Sequence, residues 1–177
     1  SELFLAERPE DASGSVVVAA IEGTRPILVE IQALVSGAAY GNPQRKAMGI
    51  DANRIALLVA VLEKKVGYAM LAQDVFVNVA GGVRLAEPAV DLGVVAALAS
   101  SHLNRPLGKR TVLFGEIGLA GEVRAVSHPE LRVKEAARLG FNRCLLPYGN
   151  LKNLDKPRGI QLVGVRSATE ALEDLFN

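Results

Sequence analysis

Residues 15–21 and 27–34 are two runs rich in β-branched side chains, separated by the turn-forming cluster Glu22-Gly23-Thr24-Arg25-Pro26. The pattern predicts an N-terminal hairpin whose apolar faces must pack on another layer. Residues 36–49 carry glycines, Asn42-Pro43 and the bases Arg45 and Lys46 without periodicity, and read as a long exposed loop. Asp51 then caps a helix in which Ile55, Leu58, Val59, Leu62 and Val66 recur at the spacing of one buried stripe. Leu57 and Val61 lie off that stripe and suggest a second contact surface, such as another subunit. Over residues 74–79, Val75, Val77 and Val79 alternate to one face of a strand that Gly81-Gly82 ends. Residues 90–101 are apolar on nearly every side, rich in alanine and interrupted by Gly93, which predicts a helix buried tightly against a sheet.

Further along, residues 111–114 form a short apolar run, and Gly115, Gly118 and Gly121 punctuate a hairpin that leads to residues 123–125. Ser127 and Glu130 have the spacing of a capping box for a helix over residues 129–139, which Gly140 terminates. Residues 144–146 and 162–165 read as buried strands. Ser167 with Glu170 forms a second capping box, opening a last helix that runs to Phe176. Without repeats or low-complexity segments, this alternation predicts an α/β (α+β) fold with a mixed sheet, hairpins and packed helices rather than a doubly wound Rossmann sheet.

Composition adds less than distribution does. A chain of 177 residues, half of them apolar and only eight aromatic, can bury an aliphatic core as a single domain. Formal net charge is +1, so any polyanion surface must be a local patch. The first twelve residues carry four acids against Arg8, whereas Arg105, Lys109 and Arg110 occur with no acid between them. The lone Cys144 excludes an internal disulfide or a thiolate metal cluster and fits a reducing cytoplasm. No apolar run approaches a membrane span, and no signal sequence opens the chain. Ser1-Glu2 leads abruptly into Leu3-Phe4-Leu5, as in a fragment of a longer protein.

Residues 115–147 carry Gly115-Glu116-Ile117, then Gly121-Glu122-Val123, then a helix closing on a strand and Pro147. This segment resembles the part of Lon-type ATP-dependent proteases that holds their catalytic lysine, and the overlay puts Arg132 at the lysine. The Lon serine begins a small-residue helix; the matching helix here begins Glu87-Pro88-Ala89-Val90-Asp91, with Ala89 at the serine. A Ser-Lys dyad needs a lysine that can be neutral near pH 7 to take the serine proton. Guanidinium stays protonated and alanine offers no nucleophile, so the resemblance implies a Lon-like domain with no catalytic residues, Ala89 and Arg132 being the degenerate dyad positions. Arg132 itself reads either as an exposed helix residue pairing with Glu135 or as a basic contact to a partner.

A wider resemblance covers nearly the whole chain. Glu22-Gly23-Thr24-Arg25-Pro26, Leu28-Val29-Glu30-Ile31-Gln32-Ala33-Leu34-Val35, Asn42-Pro43-Gln44-Arg45, Asn53-Arg54, the run from Asp74 through Gly82 and Phe114-Gly115-Glu116 are together similar to the C-terminal Lon-protease-like domain of the RadA (Sms) family of bacterial DNA-repair proteins. The resemblance implies a proteolytically inactive C-terminal domain of a recombination motor that forms rings, extends branched DNA alongside RecA and is a DNA-dependent ATPase. ATP, magnesium and zinc would belong to a RecA-like ATPase and a zinc module absent from these residues, so no cofactor is expected here. A homo-oligomer, a hexamer, and single-stranded or branched DNA are the implied partners. Phosphate contacts need long cationic side chains on exposed segments. Arg25, Arg45, Lys46, Arg54 and Arg84 are the candidates, and with few aromatics the binding should be sequence-neutral.

Blander or different chemistry competes. The five bases could be solvated charge or subunit salt bridges. Ser127-His128 or the pair Glu87 and Asp91 could serve a residual hydrolase, although the two acids at a helix start also complement its macrodipole. The chain could instead be a purely protein-binding adaptor. His102 reads as a helix-end cap and Cys144 as core filler. Neither a phosphate-binding P-loop nor a dinucleotide fingerprint is present.

Overall fold

The computed structural model describes all residues except Glu10, Ala39, Tyr40 and Lys109, and the side chains of Leu3 and Phe4. A short helix α1 (Glu2–Leu5) precedes β1 (Ser15–Glu22) and β2 (Arg25–Gly37), which pair antiparallel as the β-branched runs predict. Next come β3 (Arg45–Met48), α2 (Ala52–Val61), β4 (Gln73–Val79) and α3 (Asp91–Leu103). The last part contributes β5 (Thr111–Leu113), the two-residue strands β6 (Glu116–Ile117) and β7 (Val123–Arg124), α4 (Pro129–Arg138), β8 (Arg143–Pro147), β9 (Gln161–Val165) and α5 (Ala168–Phe176). Seven strands form one sheet in the order β3-β4-β2-β1-β5-β8-β9, and β6 pairs with β7 apart from it. Only β2 runs against the others, because it alone is antiparallel to both its neighbours. The mixed α/β architecture expected from the pattern is therefore the one present.

Both faces of β1 are buried. Val16, Val18 and Ala20 point into a core shared with α2, α3 and α5, while Val17 and Ala19 join a second core with Phe114, Cys144, Leu146 and the α4 residues Val133 and Ala136. Such double coverage explains why its sequence is a continuous apolar run rather than an alternating one. The all-round apolarity of α3 has the same cause. A Cβ on Gly93 would stand 2.0 Å from Val18 Cγ1, so glycine is what lets this helix lie so close to the sheet.

The second face is not covered everywhere. α4 packs on β1 and the start of β2 and shares its core with β5 and β8, but beyond buried Glu30 the rows Lys46-Phe76-Leu34 and Met48-Asn78-Gln32 stand open. Leu34 and Met48 are 60% and 72% exposed.

Several local readings need correction. The supposed loop of residues 36–49 is shortened from both ends, since β2 continues to Gly37 and β3 starts at Arg45. β3 has only four residues at the sheet edge, too few to show a period. Val61 is 4% exposed and belongs to the internal core with Leu58 and Leu62, before α2 passes into a π turn (Leu62–Val66); Leu57 does stay exposed. The Ser127 capping box does not form. His128 precedes α4 in a left-handed conformation (φ 52°) with Pro129 at the first helical position, and no side chain caps the helix. Asp51 and Ser167 cap as expected, through Asn53 N and Glu170 N. His102 is no cap: its ring stacks on Tyr68 at 5.5 Å and Nδ1 faces Gln73 Oε1 at 3.2 Å, while Asn104 (φ 52°) ends α3.

Candidate functional site

The segment of residues 87–91 enters α3 with a carboxylate at each end, and each end is locked to an arginine from a distant element. Asp91, 1% exposed, accepts from Arg54 Nε at 2.9 Å, pairs with its Nη2, and takes the Ile117 amide at 3.0 Å. Glu87 accepts from Arg132 Nη2 at 2.6 Å and from the Ile21 amide at 2.6 Å. Between them Ala89 is 3% exposed, with its carbonyl accepting from Gly115 N at 2.7 Å.

Arg132 is the largest fully buried side chain among the described residues. Its Nε donates to the Ser127 carbonyl and its Nη1 to the Ala19 carbonyl, both at 2.9 Å, and its guanidinium lies 5.7 Å from the Phe114 ring centre. Neither reading of it as a surface residue holds. It pairs with Glu87, while Glu135 takes Arg138 and the Ser1 hydroxyl instead. All of its fork is used inside the fold, an arrangement a lysine ammonium cannot copy. The sequence did hold a signal: Arg132 lies one residue before Val133 and four before Ala136, on the buried side of α4.

Glu87 and Asp91 do more than complement a helix dipole, since each ends an ion pair. The hydrogen bond and charge of Asp91 hold the Arg54 guanidinium above its ordinary pKa against partial burial. Ser127 presents its carbonyl to Arg132. Burial pushes the Cys144 thiol far up, as for a core residue.

The five candidate bases fall into different places. Arg45 begins β3 and donates to the carbonyls of Gln44 (3.1 Å), Leu71 (2.9 Å) and Gln73, so it clamps the edge of the sheet. With exposed Lys46 it lines an open concavity of about 800 Å³ on the bare sheet face, beside Leu34, Met48 and Phe76. Arg54 and Arg84 instead line a second concavity of about 670 Å³ with Met48, Leu85 and Glu87. Arg54 is thus no solvated charge, whereas Arg25 and Arg84 are exposed. Of the base cluster before β5, Lys109 lies outside the described residues and Arg110 donates to the Gly140 carbonyl at 3.0 Å.

Strand direction sorts these positions. In a sheet dominated by parallel strands, ligands collect outside the carboxyl ends. That rim carries Arg25, where β2 starts beside the end of β1, and Arg84 beyond β4. It also carries Tyr148 and Arg166, the residues that follow β8 and β9, which sequence reasoning missed. Arg166 stacks on Tyr148 with its guanidinium 3.6 Å from the ring centre. Arg45, at the amino end of β3, belongs to the opposite rim.

No helix among the described residues is long and apolar enough to cross a membrane. Residues 45–150 match the family described as subunit ChlI of Mg-chelatase, and the chain belongs to that family. At the level of individual proteins it is similar to the DNA repair protein RadA of Bacillus subtilis (strain 168), 54% identical over 172 residues, or 97% of this chain and 38% of that protein. RadA of Listeria monocytogenes serovar 1/2a is 53% identical over 98% of the chain and 38% of its own length. RadA of Streptococcus pyogenes serotype M6 is 45% identical over the whole chain and 39% of its own length. The chain therefore spans about two fifths of the length of the curated relatives it matches.

Proposed function

We propose that this chain is the non-catalytic, Lon-protease-like part of a RadA-type DNA-repair motor, acting in the cytoplasm to help a ring, a hexamer, assemble and to touch DNA without sequence preference. Similarity to proteins named for DNA repair runs over 97% to 100% of the chain, against residues 45–150 for the family description, so the relatives' name guides the reading. In the whole protein, ATP hydrolysis and work with RecA on branched intermediates would fall to segments outside these residues.

One observation carries the proposal. The two carboxylates that flank the dyad positions are each paired internally, with Ala89 buried between the pairs Glu87–Arg132 and Asp91–Arg54. The arginines of the carboxyl rim, Arg25, Arg84 and Arg166, by contrast have no carboxylate partner among the described residues. Fixed internal pairs stabilise a scaffold, while unpaired guanidinium groups on an exposed rim suit phosphate.

Three measurements on the purified chain test this. Casein and fluorogenic peptides should remain uncut, and cleavage that survives Ser127→Ala would overturn the non-catalytic reading. Light scattering should show a closed oligomer, and a monomer at high concentration would remove assembly from this chain's role. Fluorescent oligonucleotides should bind with an affinity that falls steeply with salt, and no binding at low salt would leave a protein-binding adaptor.

A further inference from the structure

We infer that Tyr148 and Arg166, with Arg124 beside them, form a stacking site for the bases of single-stranded nucleic acid on the carboxyl rim. The inference rests on the DNA-contact reading above and assigns it a place and a strand form.

The site is held rigid from both sides. Pro147 and Val165 are register partners in the parallel pair β8–β9, so the next residues, Tyr148 and Arg166, emerge together from adjacent strand ends. Tyr148 opens a 3-10 turn (Tyr148–Asn150) that Asn150 ties to Val126 through two 3.0 Å hydrogen bonds. The Arg166 carbonyl accepts from Val123 N at 2.9 Å, which places β7 and its Arg124 next to the stack.

Chemistry supplies the rest. Tyr148 is 48% exposed although it is flanked by two paired strands, and the Arg166 guanidinium carbon lies over its ring, 3.6 Å from the centre. An arginine plane on an aromatic ring is a favourable cation–π pair that leaves outer π surfaces open to a further planar group. The guanidinium of Arg166 makes no hydrogen bond or ion pair among the described residues, so its donors are available to phosphate. Arg124, with a side chain 60% exposed, pairs at 2.9 Å with Glu122, itself 40% exposed. A surface pair of that kind is weak enough for a phosphate to replace the carboxylate. One base on the ring, with phosphates on Arg166 and Arg124, fits unpaired strands, because duplex bases keep their faces stacked on one another. Every base has such a face, so recognition is sequence-tolerant.

The test uses the 177-residue chain and an oligothymidylate carrying one 2-aminopurine, read by anisotropy and by fluorescence quenching. Tyr148→Ala should weaken binding about tenfold, within the range for one stacked base, and abolish the quenching, whereas Tyr148→Phe should preserve both. Arg166→Ala should weaken binding and lower the salt slope by roughly one, while Arg166→Lys should keep both the slope and the quenching. Glu122→Gln, which removes the competitor for Arg124, should tighten binding. These side chains are exposed, so thermal melting should show the variants folded. Parent chain that binds, with Tyr148→Ala and Arg166→Ala within twofold of it, overturns this site and leaves the DNA reading standing. Weakening by Arg166→Ala without any by Tyr148→Ala overturns the stacking. Parent chain that binds neither oligothymidylate nor duplex overturns both this site and the DNA reading.

Discussion

The arginines around residues 87–91 and those on the carboxyl rim are the same side chain put to opposite uses. Arg132 is fully buried with its donors spent on a carboxylate and two carbonyls. Arg166 is exposed with its donors unspent and only its plane engaged. Charge type in a sequence does not say which of these a residue is; the distance to an opposite charge does, and that is set by chain segments far away. Arg132 reaches Glu87 and Ala19, and Arg54 reaches Asp91, across long stretches of sequence. Arg45 and Arg54 are near neighbours in sequence, yet one clamps the edge of the sheet and the other is paired to Asp91.

Stability measurements can break that contrast, beginning where the effect is largest. Arg132→Ala should cost about 3–5 kcal/mol in urea unfolding, because it takes the cation from Glu87, opens a cavity at a fully buried side chain and leaves the carbonyls of Ala19 and Ser127 without their Arg132 donor. Arg132→Lys should recover only part of this, since one ammonium cannot serve three directions. A loss under 1 kcal/mol for Arg132→Ala would dissolve the distinction between the two regions.

Arg54→Ala should cost about 2 kcal/mol by the same measurement, less than Arg132 because the Arg54 side chain is 33% exposed while its partner Asp91 keeps the Ile117 amide. Composition alone would place that substitution within the ~0.5 kcal/mol of ordinary surface changes, so this variant separates a bolted arginine from a free one.

Glu135 supplies an intermediate case. Hydrogen bonds from Arg138, helped by the Ser1 hydroxyl and partly opposed by desolvation, hold its carboxyl below the ordinary range. Its folded pKa is depressed, so its contribution is present above the unfolded value of about 4.3 and fades as pH falls through the folded value. Melting of Glu135→Gln compared with parent should differ slightly at pH 7 and converge in acid. Divergence in acid would reverse the sign. Arg84→Ala and Arg166→Ala should change stability least, within about 0.5 kcal/mol, as exposed rim residues without a carboxylate partner among the described residues.

Locally encoded features were the legible ones. The β1–β2 hairpin, the buried α3, the Asp51 and Ser167 caps and the β6–β7 hairpin each depend on residues a few positions apart. β3 was hidden because four residues cannot display alternation, and its strand character comes from pairing with β4. The Ser127 box failed because Pro129 and a left-handed His128 set a different entry to α4. At the site, the pairing of Glu87 and Asp91 with their arginines and the meeting of Tyr148 with Arg166 arise from strand order, which no short window contains.

Strand order also bears on how the chain assembles in time. β3, β4, β2 and β1 come from the first half of the sequence, and β5, β8 and β9 from the second, so the two halves meet along one seam where Val17 lies opposite Val112 and Val18 opposite Leu113. The hairpin can close early, but the seam must wait for a parallel crossover that brings distant residues together, and such non-local pairing is slow. Until it closes, the apolar edges of β1 and β5 are exposed to pairing with another chain. A nascent copy would therefore be most vulnerable to aggregation after α3 is made and before β5 is in place.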